Sequence, residues 1–309
     1  MVFYRAPGYI LAPALPGASM PITTHNPATG ATLAEYTPMN RDELESRLQK
    51  AQTQQHTWGH LALGERLGKI RALGRSLKDN RERYALQITL EMGKPVKESR
   101  AEVDKCAFLC EVYADRAMEW MKDEIVPLEG LWHKIRLEPL GVVLSIMPWN
   151  YPFWQALRFA VPAMIMGNAC LLRHASNVTG CALLIEESFR RAGFPEGLFQ
   201  TLVCSHEDTE HLIAHPGVAG VSFTGSTQVG ARVAGLAGAN LKKAVLELGG
   251  SDPFIVLEDA GLKSAAEAAA ASRLLNAGQS CISAKRFLVH ERVFEEFTGL
   301  FVEALKKRK

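Results

Sequence analysis

The sequence carries almost no net charge, no closely paired cysteines and no long unbroken apolar run, and each absence removes a class of function. Across 309 residues, 35 basic side chains face 33 acidic ones, leaving a formal charge of +2. No polyanion-binding surface follows from that balance, so nucleic acid is not an expected partner. The basic end Lys306-Lys307-Arg308-Lys309 reads as a solvated tail. The six cysteines are Cys106, Cys110, Cys170, Cys181, Cys204 and Cys281, and none forms a CxxC pair. Cys204 and His206 have no second pair at metal-site spacing, so no metal is expected. A disulfide scaffold does not fit this length and density, and a reducing, cytoplasmic setting does. The most apolar stretch, residues 142–172, is interrupted by Pro148, Pro152, Arg158 and Pro162 and is not a membrane span. Residues 1–19 hold Arg5 and an apolar run, but Pro7, Pro13 and Pro16 spoil a signal peptide. Met20 is the expected natural start, and residues 1–19 a non-native or disordered extension. No internal repeat or low-complexity segment is present.

What is there is a run of helices followed by strand–helix alternation. Apolar residues at three- and four-residue spacing predict helices over 42–56 and 63–92, stopped by Gly93 and Pro95, and a third over 97–121. Residues 21–30 read as a polar, turn-rich arm, and residues 132–138 as an extended ribbon. Apolar strands are expected at 141–147, 169–173, 200–203, 219–223, 244–248 and 254–257. Helical patterns at 154–166, 179–192, 208–214 and 227–238 separate them. Such alternation implies a parallel sheet covered on both faces, with ligands at the carboxyl ends of its strands. Beyond Gly249 the pattern restarts: a helix over 262–275, a strand over 286–290 and a helix over 293–307. The expected fold class is α/β: a Rossmann-like parallel-sheet cofactor domain with a helical N-terminal part, plus an incomplete α/β catalytic domain.

Four short motifs could carry chemistry. Phe223-Thr224-Gly225-Ser226-Thr227-Gln228-Val229-Gly230 follows a strand and opens a helix, where backbone N–H groups and the helix dipole can meet a phosphate. It is not GxGxxG, and a plain strand–helix turn explains it equally well. Pro148-Trp149-Asn150-Tyr151-Pro152 fixes a strand end in a rigid loop, a mount for an amide that donates to an oxyanion; a turn-forming asparagine is the bland alternative. Leu246-Glu247-Leu248-Gly249-Gly250 ends a strand on a carboxylate, where burial would raise its pKa and suit a general base; a salt-bridged glutamate fits as well. Asn276-Ala277-Gly278-Gln279-Ser280-Cys281 places a cysteine after a glycine-containing loop, where nearby N–H groups could favour the thiolate. A lone cysteine is more often a small buried hydrophobe, the reading that the other five fit.

The joint order of these motifs resembles the aldehyde dehydrogenase superfamily over residues 22–305. Pro148-Trp149-Asn150, Phe223-Thr224-Gly225-Ser226, Glu247-Leu248-Gly249-Gly250 and Gly278-Gln279-Ser280-Cys281 follow the family's order, with Glu247 and Cys281 at its spacing. The resemblance implies that Cys281 attacks an aldehyde, giving a thiohemiacetal and then a thioester. It implies that the Asn150 side chain and the Cys281 N–H hold the oxyanion, and that Glu247 activates the hydrolytic water. Trp149, Ser226, Gly225, Gly230, Leu248 and Gly249 would form the NAD or NADP site.

Two positions bear on the cofactor and one on the substrate. Arg173 stands where the family usually has a ribose-binding lysine, and Ser176 where many NAD-preferring members have a glutamate. A glutamate would repel a 2′-phosphate, whereas serine beside a guanidinium accepts it, so NADP use is expected, alongside NAD. Arg158, eight residues after Asn150, matches an arginine of succinate-semialdehyde dehydrogenases that pairs with the substrate's far carboxylate. A helix arginine facing solvent is the plain alternative. The expected domains are 20–248, NAD(P)-binding with an oligomerisation ribbon near 125–140, and 249–309, a partial catalytic domain. Family members are longer, so a C-terminally truncated chain is expected. Homo-oligomers are the family's habit and are in question for such a chain. Two readings follow: oxidation of an aldehyde such as succinate semialdehyde, or an inactive remnant that binds a dinucleotide or joins full-length subunits.

Overall fold

The computed structural model describes residues 20–129 and 131–308; the expected extension at 1–19 lies outside them. A hairpin of β1 (Ile22–His25) and β2 (Thr32–Tyr36) opens the described chain where only a polar arm is expected. Four helices follow. α1 (Arg41–His60) starts at Asn40, whose side chain accepts from Glu43 N at 2.9 Å while Glu43 returns a bond to Asn40 N at 2.8 Å; this reciprocal cap satisfies two otherwise orphaned donors. The single helix expected over 63–92 is two, α2 (Leu63–Asp79) and α3 (Arg81–Met92), broken at Asn80. No glycine or proline marks that break; the Asn80 amide turns back onto Ser76 O at 2.9 Å and competes with the helix ladder. Gly93 ends α3 with φ 86°, the left-handed cap that glycine adopts without strain. α4 (Val96–Trp120) packs along α2 and α3.

A two-stranded antiparallel ribbon follows, β3 (Glu124–Leu128) with β4 (Leu131–Ile135). The extended segment expected at 132–138 overlaps only the second strand, whereas the ribbon expected near 125–140 takes in both. Then comes the alternating unit: β5 (Val142–Met147), α5 (Pro152–Ile165), β6 (Ala169–His174), α6 (Thr179–Arg191), β7 (Phe199–Thr201), α7 (His206–Ala214), β8 (Gly220–Thr224), α8 (Thr227–Ala239) and β9 (Lys243–Glu247). These five strands form one parallel sheet in the order β7-β6-β5-β8-β9. All six residues of β5 are buried, as a strand covered on both faces requires. β9 departs from that expectation. It sits at the sheet's edge with four of its five residues exposed, so its apolar residues are not a signature of burial.

The last part holds β10 (Pro253–Val256), α9 (Leu262–Leu274), β11 (Arg286–Val289) and α10 (Phe294–Lys306). β10 and β11 pair in parallel, and their helices pack on each other. A small separate cluster around Val256, Ala266, Ala269 and Phe297 forms its core, apart from the large one that joins α1–α6 to the sheet. Trp58 ties the large core together by donating its indole N–H to Met164 O at 2.7 Å, stapling α1 to α5. Among the described residues no helix is long and apolar enough to cross a membrane.

Candidate active site

The sheet order reverses beside β5. The chain leaves β5 toward β6 on one side, and β8 later takes the other side. Loops that leave β5 and β8 therefore diverge, and they open a crevice at the carboxyl ends of the strands. The β5–α5 loop brings Pro148, Trp149, Asn150 and Tyr151 to this crevice. The β8–α8 turn brings Gly225, the end of β9 brings Glu247, Leu248 and Gly249, and the α9–β11 loop brings Gln279, Ser280 and Cys281. Together they line a cavity of about 790 Å³ that Arg158 also enters from α5.

Cys281 is exposed, and the other five cysteines are buried. Burial pushes the Cys110 thiol up to about 12 and raises those of Cys106, Cys170, Cys181 and Cys204, which keeps them protonated and inert. The Asn150 amide donates to Gln279 O at 2.9 Å, so one of its N–H groups is anchored to the cysteine's own loop. Its Oδ1 accepts from Tyr151 N at 3.1 Å, fixing which face of the amide carries the donors. Lys285 donates to both Gly250 O and Cys281 O at 2.7 Å and ties the loop after β9 to the cysteine. Glu247 is not buried as expected: its side chain is 55% exposed, because β9 is an edge strand. It is held instead by Arg158, Nη1 to Oε1 at 3.6 Å.

The β8–α8 turn has the form of an anion site. Ser226 caps α8 by accepting from Val229 N at 3.4 Å, which leaves backbone N–H groups of the first turn free. A Cβ on Gly225 would lie 2.5 Å from the Phe223 ring, and one on Gly230 would lie 2.4 Å from Leu248 Cδ2. Both glycines therefore let neighbouring side chains close on the turn. Thr224 Oγ1 is buried in the cavity wall without a hydrogen-bond partner. A turn of small residues, an open helix N-terminus and an unpaired hydroxyl suit a dinucleotide's phosphates.

Arg173 and Ser176 lie apart from the cavity, at the carboxyl end of β6, where they line a small cleft with Ile22, His174 and Cys204. Arg173 is buried enough that its pKa is lowered, and its Nη2 stands 3.5 Å from His206 Nδ1. The Arg173 charge lowers the pKa of His206. Thus the structure gathers Cys281, Asn150, Glu247, Arg158, Trp149, Gly225, Leu248 and Gly249 around one cavity. Gly230 stands behind it against Leu248, Ser226 caps the adjoining helix, and Arg173 and Ser176 form a second locus.

Sequence reasoning missed several residues of this site. Lys285 stands in a stretch, Ala284-Lys285-Arg286-Phe287, that resembles succinate-semialdehyde dehydrogenases, but its tie to Gly250 O and Cys281 O was not expected. Gln155, three residues before Arg158 on α5, lines the cavity with its Oε1 buried and unpartnered. Lys94, Glu102 and Asn276 support the loops from beneath. Asn276 falls inside a quoted motif, but its role depends on contacts far along the chain.

A crevice over a strand-order reversal, with a thiol beside it, is the plan of an α/β protein that acts on a small ligand by covalent means. A model of the aldehyde dehydrogenase family matches residues 15–309, and the chain belongs to that family. It is 46% identical over 290 residues to a Synechocystis sp. protein named "Probable succinate-semialdehyde dehydrogenase [NADP(+)]", covering 94% of this chain and 64% of that one. It is 44% identical over 279 residues to the Escherichia coli succinate semialdehyde dehydrogenase [NAD(P)+] Sad, covering 90% and 60%. The Streptococcus pyogenes succinic semialdehyde dehydrogenase, solved in complex with NADP+, superposes with a TM-score of 0.91 at 35% identity, covering 93% of this chain and 64% of that one. The chain thus spans less than two thirds of the length of these relatives.

Proposed function

We propose that this chain carries the dinucleotide site and the nucleophile of an NAD(P)-dependent aldehyde dehydrogenase whose substrate is a short aldehyde with a distal carboxylate, such as succinate semialdehyde. The observation that carries the reading is the cavity itself. It holds the one exposed cysteine among six, together with an anchored amide, a carboxylate and a guanidinium. Residues 20–248 serve as the cofactor domain and 249–309 as the part that presents the thiol. The ribbon β3–β4 exposes Ile125, Leu131 and Ile135, which fits self-association.

The chemistry follows from the groups present. The Cys281 thiolate attacks the aldehyde carbon, and the carbonyl oxygen becomes an anion. The free N–H of Asn150, its partner N–H being anchored on Gln279 O, donates to that anion together with the Cys281 backbone N–H. Donors already in place cost no reorganisation as the charge develops. Thr224, Gly225, Ser226, Gly230 and Leu248 would hold a dinucleotide over the cavity; bound there, it supplies the hydride acceptor. Glu247 then takes a proton from water, the resulting hydroxide attacks the thioester carbon, and the carboxylic acid leaves as Cys281 regains its thiolate. For this Glu247 must leave Arg158, and a carboxylate at the far end of the substrate supplies the replacement partner. Arg173 and Ser176 would meet the 2′-phosphate of NADP.

The supporting experiment is spectrophotometric: NADPH and NADH formation by the purified chain with succinate semialdehyde, beside Cys281→Ala. Turnover that the substitution abolishes supports the reading, and turnover that survives it removes Cys281 from the mechanism. The Arg158–Glu247 pair favours a second reading, dinucleotide binding without turnover, since the two groups satisfy each other. Well-folded protein that changes NADPH fluorescence on binding, yet forms no NADPH from NADP+ and aldehyde, would establish that second reading.

A further inference from the structure

We infer that Asn276, gripped from below by the buried Lys94–Glu102 ion pair, is a positioning residue that sets the Asn150 amide against Cys281. The inference rests on the functional reading above and extends it to residues outside the cavity's chemistry.

Asn276 is 1% exposed, and every polar contact it makes joins parts of the site. Its Nδ2 donates to Asn150 O at 2.7 Å and to Gln279 O at 3.3 Å. Gln279 O also accepts from Asn150 Nδ2, so one carbonyl receives both amides. The loop that carries the oxyanion donor and the loop that carries the thiol are thus joined through one side chain. Its Oδ1 faces the other way and accepts from Lys94 Nζ at 2.8 Å.

Lys94 is as buried as Asn276 and pairs with Glu102, which is 3% exposed. The second carboxylate oxygen of Glu102 accepts from Phe153 N and Trp154 N, both at 2.8 Å. Those are the first turns of α5, the helix that delivers Arg158. Lys94 also stands over the Tyr151 ring, 4.4 Å from its centroid. A buried carboxylate and ammonium persist only when paired and hydrogen-bonded throughout, and here the bonds go to α5 and to Asn276 while the ammonium rests on the Tyr151 ring of the β5–α5 loop. One charged pair therefore references three parts of the site to the helical half of the molecule.

The backbone supports the same conclusion. Asn276 and Ala277 have φ of 57° and 54°, and Gly278 follows at 76°. Two consecutive non-glycine residues in the left-handed region are strained, and such strain persists only where surroundings over-determine it. The grip on the Asn276 side chain supplies that determination and turns the chain toward Cys281.

The test uses Asn276→Ala and Asn276→Asp in the full chain. Aspartate keeps an acceptor for Lys94 but loses both donors to the loop carbonyls, so it separates loop joining from charge satisfaction. Hydrogen-exchange mass spectrometry comes first because it needs no turnover. In both variants residues 148–154 and 276–284 should lose protection together while β5, β6 and β8 keep theirs. Loosening of 276–284 alone would overturn the inference, as would general loss of protection, which marks a merely structural residue. With active protein, kcat should fall about 100-fold, the size of effect seen when an oxyanion donor is lost, with KM nearly unchanged. Unchanged kcat, or a rise in KM alone, would also overturn it. If wild-type protein shows no Cys281-dependent turnover, the catalytic reading fails while the exchange result still decides whether Asn276 joins the two loops.

Discussion

Arg158 and Glu247 face each other across the cavity, Nη1 to Oε1 at 3.6 Å, and each is the other's charged partner. They come from different parts of the fold, the middle of a helix and a sheet edge. Their side chains are 34% and 55% exposed, so the pair adds no more than about 1 kcal/mol to stability. On the proposed function its value lies in catalysis, because a substrate carboxylate would compete with Glu247 for the same guanidinium.

Removing that guanidinium should separate substrates. Arg158→Leu is expected to raise KM for succinate semialdehyde by roughly ten- to a hundredfold, the loss of a charge-assisted hydrogen bond worth about 1.5–3 kcal/mol. For an uncharged aldehyde of similar length the change should be small. Steady-state kinetics with both aldehydes gives the answer; an equal effect on the two would mean that Arg158 serves Glu247 or the fold and not the carboxylate. Urea unfolding should show the variant within about 0.5 kcal/mol of wild type, as for most surface changes.

Gly230 and Leu248 make a second pair with a definite prediction. A methyl on Gly230 would stand 2.4 Å from Leu248 Cδ2, too close to be accommodated without movement. Gly230→Ala should cost no more than about 1 kcal/mol, because the end of the partly exposed Leu248 side chain can turn aside, and should weaken NADPH binding by moving Leu248 in the cavity wall. Leu248→Ala should make room for it. The double variant is therefore expected to be more stable than the sum of single effects implies, a coupling measurable by a double-mutant cycle in urea. Strict additivity would show that the turn adjusts elsewhere.

Ser176 tests the second locus. Ser176→Glu places a carboxylate at the cleft that holds Arg173, where it would neutralise the guanidinium and repel a 2′-phosphate. The ratio of kcat/KM for NADP to that for NAD should fall by at least about tenfold, since like-charge juxtaposition at an interface costs several kcal/mol. NAD kinetics should change little. An unaltered ratio would move the 2′-phosphate away from this cleft.

How much of this was legible from the chain depends on how far each feature reaches. β5, β6 and β8 announce themselves because strands buried on both faces must be apolar throughout. α9, β11 and α10 follow from local periodicity alone. The edge position of β9 is not legible, since its residues alternate only weakly and the sequence does not say what lies beside them. The hairpin of β1 and β2 is hidden by threonines and polar residues that read as a turn. Cys281, Asn150 and Glu247 were named because each sits in a short motif at a strand or loop end. Lys94 and Asn276, 182 residues apart, carry no local mark of their meeting. Only folding brings a buried lysine under a loop amide.

His174 joins the two loci and should make stability depend on pH. Its Nδ1 accepts from Ala175 N at 2.9 Å, so the proton of the neutral ring resides on Nε2, which donates to Pro152 O at 2.9 Å. The residue is buried, and desolvation lowers its pKa from an ordinary 6.5 to about 4. The sign follows from proton uptake. Between these values the unfolded chain binds a proton on this ring and the folded protein does not, so acidification favours unfolding. Stability is expected to decline as pH falls below about 6.5, with the loss on the order of 3 kcal/mol and complete once pH is below about 4. Carboxylates titrate in the lower part of that range, so the contribution of this ring is isolated by difference. His174→Gln, which does not titrate, carries a constant cost but should lose less stability than wild type between pH 7 and pH 4.5. Urea unfolding of both proteins at several pH values measures that gap. It should narrow steadily on acidification, because the wild-type ring gives up stability that the glutamine never had; a gap independent of pH would mean that the ring is already protonated in the folded protein, or that it is reached by solvent.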